Sequence, residues 1–172
     1  MYKRHRDNTG FTLIEMIIVV LIMGILAALI VPIISSTSED AKLNTFKSNL
    51  SSMRKAIELY CIQHNNTYPG ARNPMGGVPA SQDQARNGFR CQLCRYTDVN
   101  GECSPTKDAT HKFGPYKKQL GLPENPYNNL STILIDMTTT DITARTSDGT
   151  TGWKLYTKTG VFIANDGDHD NL

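Results

Sequence analysis

Polarity along the chain divides it into three stretches. Residues 1–10 are polar and basic, carrying Lys3, Arg4 and Arg6 against Asp7. Phe11–Ile34 is a run of 24 residues that holds one acid, Glu15, and no charge from Met16 onward. That exceeds the ~20 apolar residues a membrane span needs. A polar patch, Ser35-Ser36-Thr37-Ser38-Glu39-Asp40, follows. Beyond it the apolar positions Leu43, Phe46, Leu50, Met53, Ile57 and Tyr60 recur at steps of three and four, which predicts an amphipathic helix to about Gln63 that ends before Asn65-Asn66. Its stripe is expected to pack on the chain's own sheet, because a dimeric coiled coil needs more heptads than these. The first half, apolar all round, has to lie in lipid or among identical helices.

Residues 64–130 are dominated by breakers such as Pro69-Gly70, Asn73-Pro74, Gly76-Gly77 and Asn125-Pro126, with a short helix expected around Pro115–Leu120. From Ser131 the period falls to two. Strands are predicted at 132–137, 142–146, 153–157 and 161–165, divided by Asp148-Gly149 and Lys158-Thr159-Gly160. The expected fold is α+β: a long amino-terminal helix, hydrophobic in its first half, packed by its second half on a small antiparallel sheet. The corresponding segments are 1–10, 11–34, 35–63, 64–130 and 131–172.

Composition narrows the function. Eighteen basic against sixteen acidic residues give a net charge of +2, too balanced for bulk electrostatic binding of nucleic acid, and the mean hydropathy of −0.35 excludes a polytopic membrane protein. The charges are unevenly placed. Residues 84–118 hold seven basic groups and three acids, whereas residues 119–172 hold three and seven.

Basic residues ahead of an apolar run place the amino end in the cytoplasm. The run is too long for a cleaved signal, and Ala27-Ala28 leads into more Leu, Ile and Val. A plain anchor accounts for its length but not for Glu15, whose carboxylate costs several kcal/mol in lipid unless it is neutralised or paired. A cut between Gly10 and Phe11 would free an amine on Phe11. That amine cannot easily fold back on its own Glu15 in a continuous helix, but it can reach the Glu15 of a neighbouring copy.

Gly10 followed by Phe11-Thr12-Leu13-Ile14-Glu15 and an uninterrupted apolar run resembles the class III signal of type IV pilins and type II secretion pseudopilins. The resemblance covers about the first 50 residues. It implies a prepilin peptidase that cleaves after Gly10 and N-methylates Phe11, with Thr12, Glu15 and Pro32 serving assembly. It implies storage in the cytoplasmic (inner) membrane as a single-pass protein, then transfer through an inner-membrane assembly platform into a homo-oligomeric periplasmic or extracellular filament. Gly114-Pro115-Tyr116 through Asn125-Pro126-Tyr127, Gly152-Trp153 and Thr159-Gly160 resemble the carboxyl half of the major pseudopilins, from which the Cys91–Cys103 insert departs.

Cys61, Cys91, Cys94 and Cys103 suggest two bridges of undetermined connectivity, since the body lies outside the cytoplasm. The rival is Zn2+ held by Cys91, Cys94, Cys103 and one of Cys61, His64 or His111. Haem attachment fails because Arg95 follows Cys94. Asp166, Asp168 and Asp170 alternate as Ca2+ ligands do, and the family resemblance also allows calcium in a carboxyl-terminal loop, although the EF-hand pattern is incomplete. No catalytic constellation emerges, so a structural subunit is expected rather than an enzyme. The filament of a type II secretion system is the first reading. A type IV pilus for adhesion, motility or DNA uptake is the second, and a membrane-anchored extracytoplasmic metal- or ligand-binding domain the third.

Overall fold

A computed structural model describes residues 10–171, and of residues 29–37 the backbone alone. The chain divides after Ala41 into two compact units. The helix α1, Leu13–Gln63, runs through the first unit and into the second, unbroken at Gly24 and through Pro32.

In the second unit the predicted stripe is the core face of α1. Phe46, Leu50, Met53, Ile57 and Tyr60 are buried, joined by Ala56, and Leu43 is half-buried. They pack on Ile133, Ile135, Trp153, Leu155, Phe162 and Ala164, so the sheet rather than a second helix covers them. The helix ends where predicted. Asn65 and Asn66 have φ of 52° and 57°, and the Asn66 N–H returns to the Cys61 carbonyl at 3.0 Å. Asparagine adopts this left-handed conformation more readily than most residues, which makes the pair an effective stop.

A second helix, α2 (Gln82–Cys94), interrupts the stretch expected to be loop-rich. Ser81 caps it by accepting from Gln84 N, and Ala85, Phe89 and Leu93 at four-residue spacing face the core. Gly88 is required on that face because a Cβ there would run into the Arg72 carbonyl. The helix expected at 115–120 does not form. Tyr116 N and Lys117 N both donate to Leu93 O at 2.9 Å, so these amides close the end of α2 instead of starting a turn of their own.

Two short strands, β1 (Tyr96–Thr97) and β2 (Cys103–Ser104), pair antiparallel. The main sheet has three strands in the order β3 (Ile133–Asp136), β4 (Trp153–Tyr156), β5 (Phe162–Ala164). Three of the four predicted strands are thus present and the class is α+β, but the sheet is mixed: β4 and β5 are antiparallel, while β3 and β4 are parallel. The reason lies in residues 142–146, which are not a strand. Thr146 N donates to the Tyr156 hydroxyl at 2.9 Å, and Lys154 Nζ donates to Thr146 O at 2.9 Å. The connection from β3 to β4 therefore crosses over the sheet, as parallel pairing demands. That crossover helps explain why β4 is buried at every position, the aliphatic stem of Lys154 included.

Side chains occupy both outer edges of the sheet. The Gln82 amide donates to Ile135 O at 2.6 Å and accepts from Ile135 N at 3.3 Å, and Arg86 Nε donates to Ile133 O at 2.8 Å. On the far side Arg54 donates twice to Phe162 O, at 3.1 and 2.9 Å.

Candidate functional site

The first helical turn is held by its own residues. Thr12 N and Thr12 Oγ1 donate to Glu15 Oε2 at 2.7 and 2.9 Å, and Glu15 N donates back to Thr12 Oγ1 at 3.3 Å. This reciprocal capping box satisfies backbone donors that a helix start otherwise leaves without partners, and it places a carboxylate where the helix dipole favours it. Both bonds to the carboxylate fall on Oε2, which leaves Oε1 able to accept from an incoming cation. Gly10 and Phe11 precede this turn. Phe11 is exposed, and a Cβ on Gly10 would meet nothing within 4 Å. The Gly10–Phe11 peptide bond is therefore a direct neighbour of the Thr12–Glu15 box.

Behind them the large apolar side chains from Phe11 to Leu26 are exposed on every side of the helix, from 47% (Met16) to 80% (Phe11). Among the described residues no helix is long and apolar enough to cross a membrane. Residues 29–34 of the predicted run, Pro32 among them, are outside those whose side chains are described, as are residues 1–9 of the predicted leader.

The four cysteines form one bridge, not two. Cys91 on α2 is joined to Cys103 on β2, with Cα atoms 6.2 Å apart, while buried Cys61 and half-buried Cys94 are free. Cys94 Sγ donates to Gln119 O at 3.0 Å, and burial raises the pKa of both free thiols. The bridge removes two of the proposed zinc ligands. His64, one candidate for the fourth position, is buried between Tyr60 O at 2.8 Å and Thr97 Oγ1 at 2.9 Å, and burial lowers its pKa and favours the neutral ring. His111 is turned to Asp108 at 2.9 Å. Thiol titration of the unfolded, unreduced chain should give two thiols. Replacing Cys91 and Cys103 with Ser should cost about 2–3 kcal/mol of stability, read as a lower urea midpoint, because the bridge closes a short loop.

The acidic tail is also turned on itself. Asp166 Oδ1 accepts from Asp168 N at 3.1 Å and His169 N at 2.9 Å, and Asp166 Oδ2 accepts from Asn125 Nδ2 at 3.1 Å. Burial pushes its pKa up, but the hydrogen bonds outweigh burial and hold it below the ordinary carboxylate value. The ring of His169 stacks on Tyr127 at 3.8 Å. The calcium set predicted from Asp166, Asp168 and Asp170 is not assembled, nor is the zinc set. Among the described residues no three His, Cys, Asp or Glu side chains gather into a metal site. Asp166 is directed into the fold, so alternation along the sequence does not become convergence in space.

Residues 5–31 match the family model described as the prokaryotic N-terminal methylation motif. The chain is also similar to proteins named type II secretion system core protein G. It is 34% identical to that of Pseudomonas aeruginosa over 49% of this chain and 61% of the relative. With that of Aeromonas hydrophila it shares 27% identity over 72% of this chain and 71% of the relative. With that of Vibrio cholerae it shares 36% over 39% and 45%. The chain thus spans about three fifths of the Pseudomonas relative's length. No solved structure matches it. Gly10-Phe11-Thr12-Leu13-Ile14-Glu15, which carried the resemblance, falls within the residues that match the methylation motif.

Proposed function

We propose that the chain is a structural subunit of a type IV-like filament, the pseudopilus of a type II protein secretion system, assembled through its amino-terminal helix. The observation that carries this reading is the helix start itself. A capping box that engages one carboxylate oxygen opens a helix whose apolar side chains from Phe11 to Leu26 are exposed on every side and covered by none of the described residues. Such a surface needs lipid before assembly and copies of itself afterwards. In this reading residues 1–10 are a leader facing the cytoplasm, and a prepilin peptidase cuts between Gly10 and Phe11 and methylates the new amine. Residues 11–34 form the inner-membrane span and later the filament core, and the body lies on the periplasmic side. Glu15 then accepts the Phe11 amine of a neighbouring copy, which sets the axial step between subunits. The similarity to proteins named core protein G favours the secretion filament over a pilus.

Mass spectrometry of the chain purified from a host with a prepilin peptidase tests this. The expected species begins at N-methylated Phe11. A chain that keeps Met1–Gly10 and stays dispersed in the membrane would end the proposal.

A further inference from the structure

A groove of ≈ 780 Å³ lies between α2 and β3, lined by Asp83, Arg86, Arg90, Leu122, Thr132 and Ile133 among others. Two of its charges are committed: Arg86 pairs with Asp83 at 3.5 Å and donates to Ile133 O. Arg90 is exposed and has no carboxylate partner among the described residues; its contact is the Leu120 carbonyl at 3.5 Å. Leu120, beside it, is 68% exposed. The groove therefore offers an uncommitted guanidinium, with half-buried Leu122 in its lining and exposed Leu120 at its margin beside Arg90.

A matching projection stands elsewhere on the same body. Asp141, Ile142, Thr143 and Ala144 form a turn closed by Ala144 N on Asp141 O at 3.3 Å. Asp141 Oδ1 accepts from Thr143 N and Thr143 Oγ1 at 2.8 and 2.7 Å, which pins the turn through one carboxylate oxygen. These bonds hold the carboxyl below its ordinary pKa, so it is charged at neutral pH. Ile142 is 61% exposed at the tip.

We infer that this turn of one copy docks in the α2–β3 groove of the next, Asp141 pairing with Arg90 and Ile142 resting on Leu120 and Leu122. Charge identifies the occupant as a second copy. The groove's helix belongs to residues 84–118, with seven basic groups against three acids, and the turn to residues 119–172, with three against seven. Turn and groove are different surfaces, so the contact is heterologous. Such a contact can repeat from copy to copy, as a filament requires, wherever its rotation does not close a ring. The inference rests on the filament reading and adds a side contact between bodies to the helix core.

Charge exchange in the full-length chain tests it, with sheared filaments counted from a host that processes and assembles the protein. Arg90→Asp and Asp141→Arg should each lower filament yield about tenfold, and the double variant should recover to within about twofold of the parent. Ile142→Ser should lower yield without any charge change. Unchanged melting temperatures are expected for Arg90→Asp and Ile142→Ser, whose side chains are exposed, and a small drop for the two variants in which Asp141→Arg removes the bonds to Thr143. Single variants at parental yield overturn the contact. A double variant as poor as the singles also overturns it and assigns the groove to an acidic partner other than a second copy. In both cases the parent still forms filaments, so only this contact is lost. A parent that retains its first ten residues and forms none removes the filament reading as well.

Discussion

In the proposed filament, Glu15→Ala is expected to reduce assembly by about a hundredfold or more while the body melts at its usual temperature, because removing one partner of a desolvated ion pair costs about 3–5 kcal/mol. Glu15→Gln separates the two roles of this residue. Glutamine at the same position keeps the reciprocal bonds with Thr12, and so the helix start, but has no charge for an amine to neutralise. The Gln variant should therefore fail in assembly nearly as badly as the Ala variant. If it assembles like the parent, the residue is needed only to begin the helix and not to pair copies. Counting sheared filaments beside a melt of the full chain in detergent decides between these outcomes.

The second large effect is in the body. Trp153→Ala should cost about 3–5 kcal/mol, a large share of the 5–15 kcal/mol that holds a typical domain together. Trp153 is fully buried at the start of β4 and stacks on Phe46 of α1 at 5.9 Å and on Phe162 of β5 at 5.5 Å. It thus bridges α1 and two strands of the sheet. Its Nε1 also donates to Pro123 O at 2.7 Å, fixing the loop beneath. Trp153→Phe keeps most of the apolar contact and loses that bond, so about 1–2 kcal/mol is expected. A near-UV circular dichroism melt of the full chain should show a drop of the order of 10 °C for the Ala variant and a much smaller one for the Phe variant. Equal drops would mean that the hydrogen bond, not the stacking, holds the region.

The sequence was most informative where one physical rule acts alone. The stripe from Leu43 to Tyr60 is legible because a single helix face meets a single sheet, and Asn65-Asn66 marks its end because few other residues accept that backbone. The Thr12–Glu15 box was not read from the sequence, although a threonine three residues ahead of a glutamate is the spacing that brings a cap and its acceptor together. α2 was missed although its signals are present: Ser81 and Gln84 flank the start, and Ala85, Phe89 and Leu93 follow at helical spacing. The neighbouring Pro and Gly residues obscured so short a stripe. Residues 142–146 alternate as a strand does, but Thr146 is engaged by Lys154 and Tyr156 across the sheet, a partnership that sequence neighbours do not reveal. The spacings read as metal-binding do not gather their residues among those described, for a related reason. Spacing places Cys91 and Cys94 one turn apart, and Asp166, Asp168 and Asp170 alternate, yet Cys103 and Asn125 set where Cys91 and Asp166 point.

The side chains that occupy the rims of the sheet carry a consequence for how such molecules behave when crowded. Gln82 and Arg86 on one rim and Arg54 on the other satisfy backbone groups that another molecule's chain would need in order to join. Stored at high density, the molecules lack the invitation to stack into amyloid-like ribbons. In the proposed filament, growth is then left to contacts that fix a step and a rotation.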